Sequence, residues 1–193
     1  MKTQENSSNS NSFLSIVTKD NQTIQVAKIE EKDYWSVCDF VVANEDRLLL
    51  FFPKTLAANL TPDLAKSFAV TKSKEFDTKQ EFLFTIKIQR ERKVIGLVYI
   101  KELDWNIKRG EFAYCIDYEF ERKGITSKII TALTEHAFSV LGLKTLQIIV
   151  HKTNLPSVGV AKKCNFNWIK TLPEAYTPTN GKPMDMELYE RYA

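Results

Sequence analysis

Ile116-Asp-Tyr-Glu-Phe-Glu-Arg-Lys-Gly-Ile-Thr-Ser-Lys128 is the stretch on which the reading of this chain turns. Before it, residues 111–117 read as a strand. After Gly124, Ile125, Ile129, Leu133, Ala137, Val140 and Leu141 recur at helical spacing and form one apolar stripe. A strand therefore gives way, through a short loop, to a long helix. The first N–H groups of a helix have no partner within it, and the macrodipole places partial positive charge there. Arg122 and Lys123 add two cations, and a glycine at 124 leaves the main chain open to close approach by an anion. The same residues fit a plain turn with two solvated cations, and one glycine with two basic neighbours does not separate the two readings. The glycine spacings of a Walker loop or a dinucleotide-binding turn are absent.

Upstream of that turn the hydrophobic period is two. Residues 13–17 and 23–29 are β-prone runs separated by a Lys-Asp-Asn-Gln turn at 19–22. Phe82, Phe84, Ile86 and Ile88 alternate with Leu83, Thr85, Lys87 and Gln89, which predicts a half-buried strand, and strands at 94–101 and 111–117 complete an antiparallel meander. Between these β segments, residues 31–44 carry Tyr34, Val37, Cys38 and Val41 on one helical face. Residues 48–53 are apolar without a clear period, and Thr61-Pro62-Asp63 caps a helix running to about residue 75. Downstream, Gly142 sits where a left-handed helix cap is expected. Then come a strand at 145–150, a short helix at 154–163, and strands at 166–172 and 184–189. The last of these offers an edge through which two copies could pair. The order predicts one α/β domain over residues 13–193, preceded by a Ser/Asn-rich disordered tail at 1–12.

Composition narrows the class. With 27 Lys and Arg against 24 Asp and Glu, the net charge of +3 is too small to indicate nucleic acid. The basic cluster Arg90, Arg92, Lys93 and Lys101 is interrupted by Glu91 and Glu102. No apolar run approaches the length of a membrane span. Three separated cysteines (Cys38, Cys115, Cys164) and two histidines make neither a zinc site nor a disulfide framework, so no metal is expected and a cytoplasmic location is.

Three ordered blocks carry a resemblance to a known family. Residues 121–126, Glu-Arg-Lys-Gly-Ile-Thr, resemble the acyl-CoA-binding turn of the GNAT N-acetyltransferase superfamily, where Gln or Arg, two residues, Gly, one residue, then Gly or Ala open the central helix. Glu111-Phe-Ala-Tyr-Cys-Ile116 resembles the preceding strand in the RimJ/RimL-like branch, which acetylates N-termini of ribosomal proteins. His151-Lys-Thr-Asn-Leu-Pro-Ser157, followed by Lys163-Cys-Asn-Phe166, is similar to that branch's later segment. The resemblance covers roughly residues 23–190. It implies a GNAT-like acyl-CoA N-acyltransferase fold of α/β (α+β) class, with a mixed, mostly antiparallel sheet flanked by helices.

The resemblance also implies a reaction and its participants: acetyl-CoA as cosubstrate, and a primary amine, a protein N-terminus or a small amine, as acceptor. On this chain it places cofactor binding at Tyr114, Cys115, Ile116, Arg122, Lys123, Gly124, Ile125, Thr126, Ser127 and Asn154. Glu111 falls where relatives carry a carboxylate near the acceptor amine, and Ser157 where they carry a proton donor for the CoA sulfur. Each has a plainer reading beside it: a solvated strand-end carboxylate for Glu111, a helix cap for Asn154, a first-turn polar residue for Ser157, and core packing for Tyr114. For His136 and His151 packing or solvation is expected. The chain departs from the family at Glu121, Thr126 and Asn165. A carboxylate about 4 Å from a pyrophosphate costs on the order of 1–4 kcal/mol unless it is paired or turned away. Glu121 and Thr126 therefore leave open a non-catalytic acyl-CoA-binding or protein-interaction module on the same fold.

Overall fold

The alternating segments of the first half fold as five strands in a row. In the computed structural model, which describes residues 12–18, 20–179 and 181–193, β1 (Ser12–Val17), β2 (Thr23–Lys28), β3 (Phe82–Ile88), β4 (Lys93–Asp104) and β5 (Arg109–Ile116) pair antiparallel in sequence. Of the expected tail, residues 1–11 lie outside the described residues and Ser12 opens β1. The sheet continues with β6 (Thr145–Val150), β8 (Met184–Tyr192) and β7 (Asn167–Tyr176), in the order β1-β2-β3-β4-β5-β6-β8-β7. Among these contacts β5–β6 is the parallel one. The strand expected at an edge, 184–189, lies instead between β6 and β7. Its Met186, Leu188 and Tyr189 are buried, whereas β7 is exposed along most of its length and takes the edge.

Helices cover both faces. On one side α5 (Ile125–Ser139) and α6 (Leu155–Lys163) pack on Phe84, Ile86, Val98, Ile100, Phe112 and Ile148. On the other, α1 (Tyr34–Ala43), α2 (Glu45–Phe51), α3 (Pro53–Ala57) and α4 (Pro62–Asp77) enclose Ile29, Val41, Leu48, Leu83, Leu97 and Tyr99. Residues 48–53, which have no clear period in sequence, are therefore mostly helical. Two short helices break at Phe52, where Pro53 cannot donate a backbone hydrogen bond and instead opens the next turn. The α4 start is as expected, with Thr61 accepting from the Leu64 N–H at 3.4 Å.

Two further expectations are corrected. β3 is not half-buried, since all seven of its residues are buried between the two helical layers. Its polar side chains are accommodated individually: Thr85 donates to the Ala27 carbonyl, and Lys87 pairs with Asp33 at 2.6 Å. The α5 stripe loses Val140, which is 68% exposed because the helix ends at Ser139, while Leu141 beyond the helix still packs on the core. Gly142 holds φ +73°, as a left-handed cap requires.

The parallel pair at the middle of the sheet is short. β5 and β6 stay in register from Arg109–Thr145 to Phe112–Ile148, and beyond that pair they separate. β5 continues along β4 to Ile116, while β6 continues along β8 to Val150. Gly96 holds the end of β5 against β4: a Cβ there would lie 2.6 Å from the Cys115 carbonyl oxygen and 2.9 Å from Ile86. Only a glycine admits this approach.

Lys87 and Asp33 are 10% and 8% exposed, so removing either charge strands the other in the interior. Asp33→Ala is expected to lower the unfolding free energy by about 3–5 kcal/mol in urea titrations. Combining it with Lys87→Met should recover most of that loss.

Candidate active site

Where β5 and β6 part, two clefts meet. The first, about 790 Å³, runs from the loop after β5 along the start of α5 to α6. The second, about 720 Å³, runs between α3, α4 and the β4–β5 face. Phe51, Phe52, Tyr114, His151, Asn154 and Ser157 line both. Tyr176 bridges the opening above them, donating to the Leu50 carbonyl at 2.5 Å with its ring 6.0 Å from that of Phe51.

The first cleft gathers groups that suit an anion. Gly124, at φ +74°, precedes α5 as its N-cap, and no side chain caps the helix. The N–H groups of Ile125, Thr126 and Ser127 thus have no intrahelical partner, and all three residues line the cleft. Arg122 lines it too, held at φ +57°. Lys123 does not; its ammonium lies 5.1 Å from the Phe120 ring centre. Its place is taken by Lys163 at the end of α6, whose Nζ would be 3.6 Å from a Cβ on Gly124. Sequence reasoning did not single out Lys163, because its approach to the turn depends on how α5 and α6 pack.

The strand wall divides as the alternation of β5 dictates. Tyr114 packs with Phe112 and Ile116 on the α5–α6 side, whereas Ala113 and Cys115 pack on the other. The Asp117 N–H donates to the Ile95 carbonyl on β4 at 2.8 Å, so the peptide groups of Ile116 and Tyr114 point away from β4, into the gap. The Tyr114 hydroxyl crosses that gap and donates to the Ser157 carbonyl at 3.2 Å. Burial raises its pKa well above the usual tyrosine value, so it keeps its proton. Burial likewise pushes the Cys115 thiol up to about 12, which makes it a neutral wall residue rather than a nucleophile.

Asn154 caps α6, its Oδ1 accepting from the Ser157 N–H at 3.3 Å, and this cap fixes Ser157 at the junction. His151, expected only to pack or to be solvated, also borders both clefts, with Nδ1 2.7 Å from the Thr153 hydroxyl. His136 is packed against Phe13 at 4.6 Å, and burial lowers its pKa. Glu111 belongs to the second cleft alone. It lies directly opposite Lys101 on β4 and pairs with it at 2.9 Å, its side chain 14% exposed.

Glu121 is not left facing the turn unpaired. Arg47 of α2 forms an ion pair with its Oε1, donates to the Ile116 carbonyl at 2.8 Å, and stacks 4.0 Å from the Tyr118 ring centre. Asn165 takes φ +61°, a conformation asparagine tolerates.

Residues 23–167 match the acetyltransferase (GNAT) domain model. The chain belongs to the GNAT acetyltransferase family. Its fold is shared with solved acetyltransferases. Ribosomal-protein-S5-alanine acetyltransferase from Vibrio fischeri superposes with a TM-score of 0.83 at 20% identity, over 93% of this chain and 96% of that one. RimL, a ribosomal L7/L12 alpha-N-protein acetyltransferase solved with coenzyme A, gives 0.80 at 18% identity, over 92% and 96%. In sequence, spermidine N(1)-acetyltransferase of Escherichia coli K12 is 28% identical over 94 residues, 49% of this chain and about half, 50%, of that enzyme's length. Among the described residues no group of His, Cys, Asp or Glu is arranged to hold a metal, and no helix is long and apolar enough to cross a membrane.

The left-handed start of the GNAT central helix has a measurable consequence. Gly124→Ala forces a Cβ into φ +74° and is expected to cost about 1–2 kcal/mol of stability, read from urea unfolding.

Proposed function

We propose that this GNAT domain transfers the acetyl group of acetyl-CoA to a primary amine, with the two substrates held in the two clefts at once. The observation that carries this reading is the meeting of an anion-binding cleft and a separate acceptor cleft at Tyr114, Asn154 and Ser157. The residues fit the carrier's phosphates: uncapped N–H groups at 125–127, Arg122 and Lys163 around a left-handed glycine. Acetyl-CoA supplies an acyl group activated as a thioester.

The protein's own part is threefold. Glu111, in the acceptor cleft, takes a proton from the amine so that nitrogen has a free lone pair. Amide N–H groups of the 114–116 segment, aimed into the gap, stabilise negative charge on a carbonyl oxygen. The Ser157 Oγ holds a proton for a departing sulfur. The buried, protonated Tyr114 keeps β5 and α6 at a fixed separation through its bond to the Ser157 carbonyl. A protein N-terminus is the first acceptor to try, in line with the ribosomal-protein enzymes that share the fold, and a small polyamine is the second. The ion pair between Arg47 and Glu121 removes much of the ground for a non-catalytic module, which drew on an opposing carboxylate at the turn.

Acetyl-CoA at about 100 times its dissociation constant should stabilise the protein by about 2.7 kcal/mol in thermal unfolding, and no shift at millimolar ligand would count decisively against the reading. Mass spectrometry of peptides and spermidine incubated with enzyme and acetyl-CoA then identifies the acceptor. Glu111→Gln should lower kcat about 100-fold or more while CoA affinity stays within about twofold. Lys163→Ala should do the reverse, weakening CoA about tenfold with kcat nearly unchanged.

A further inference from the structure

The cleft at the anion-binding turn carries charge of both signs. Glu121 opens the turn and lines the first cleft, and Asp46 lines it from α2. The cations are Arg122, Lys163 and Arg47. Of the two carboxylates, Glu121 belongs to the loop that leads into the uncapped end of α5, where an anionic ligand would bind. Left alone, its negative charge would repel that ligand in a partly water-excluded site.

Arg47 comes from α2, 74 positions earlier, and makes three contacts with this loop. One guanidinium nitrogen, Nη2, pairs with Glu121, while Nη1 donates to the Ile116 carbonyl at 2.8 Å. The guanidinium also sits over the Tyr118 ring, with 4.0 Å between its carbon and the ring centre. A planar fork can make all three contacts together; a lysine ammonium cannot. The side chains of Arg47 and Glu121 are 30% and 22% exposed, sheltered enough for the pair to be only partly screened.

We propose that Arg47 is the positioning residue of the cofactor turn: by neutralising Glu121 and fixing the 116–121 loop, it lets a turn that carries a carboxylate accept the phosphates of acetyl-CoA. The inference rests on the acetyl-CoA reading above. Of its two effects on the loop, neutralising Glu121 is the one that sets the affinity for the phosphates, so the loss of Arg47 is repaired by removing the charge it neutralises.

Calorimetric titration of CoA into wild type, Arg47→Ala, Glu121→Gln and the double variant tests this. Arg47→Ala is expected to weaken CoA binding about tenfold or more. Glu121→Gln alone should stay within about threefold of wild type, and Arg47→Ala/Glu121→Gln should return to that range. In steady-state kinetics Arg47→Ala should raise the KM for acetyl-CoA and leave kcat near wild type. A general folding defect would persist in the double variant, so rescue separates positioning from mere structural support. Arg47→Ala binding CoA like wild type overturns the inference, as does a double variant no better than the single one. Wild type that binds no CoA would instead overturn the cofactor reading itself.

Discussion

The separation of β5 from β6 after Phe112 and Ile148 is the constraint on which the rest of the molecule depends. A parallel pair that stops early leaves main-chain donors and acceptors facing a gap rather than a neighbouring strand, and such groups need partners. The Ile116 carbonyl finds one in Arg47. The gap also accounts for the geometry of its walls. Gly96 draws β5 towards β4 on one side, while β8 holds β6 on the other. Tyr114 spans the opening between them to reach α6. Both clefts reach this gap, and the residues they share lie around it.

Local pattern was enough to recover the parts of the fold that local physics determines. The period-two runs, the proline-led α4, the left-handed Gly142 and the Asn154 cap could all be read from neighbouring residues, and the structure has them where expected. The two faces of β5 were legible for the same reason, since alternation puts Tyr114 and Cys115 on opposite sides whatever covers them. What could not be read was what lies on top. Alternation in β3 suggested a wet face, yet α1 and α4 cover it and Lys87 is buried with Asp33. Chain order suggested that the last strand is an edge. In the folded chain β8 lies inside, its alternating Met186 and Leu188 buried together with Tyr189, and the exposed β7 takes the edge.

The candidate site divides in the same way. Gly124 and residues 125–127 were readable because a strand, a glycine and a helix start occur consecutively. Lys123 and Lys163 show the limit. A basic residue beside the glycine in sequence turns to Phe120, and one 39 positions away stands over the glycine instead. No spacing rule assigns those directions, which follow from how α6 packs beside α5.

Glu121 extends the point from position to charge. Read within its motif, a carboxylate at the head of an anion-binding turn weakens the case for the site. In the folded chain it is half of a pair whose other half, Arg47, lies on α2, just ahead of the apolar stretch whose structure the sequence left undecided. The electrostatics of a binding turn belong to the assembled cleft, because at contact distance a neighbour from another element contributes as much potential as one from the same loop. A departure from a family motif is therefore a question about what else reaches the turn. Here the answer is Arg47, and with it α2 lines the candidate site as well as covering the core.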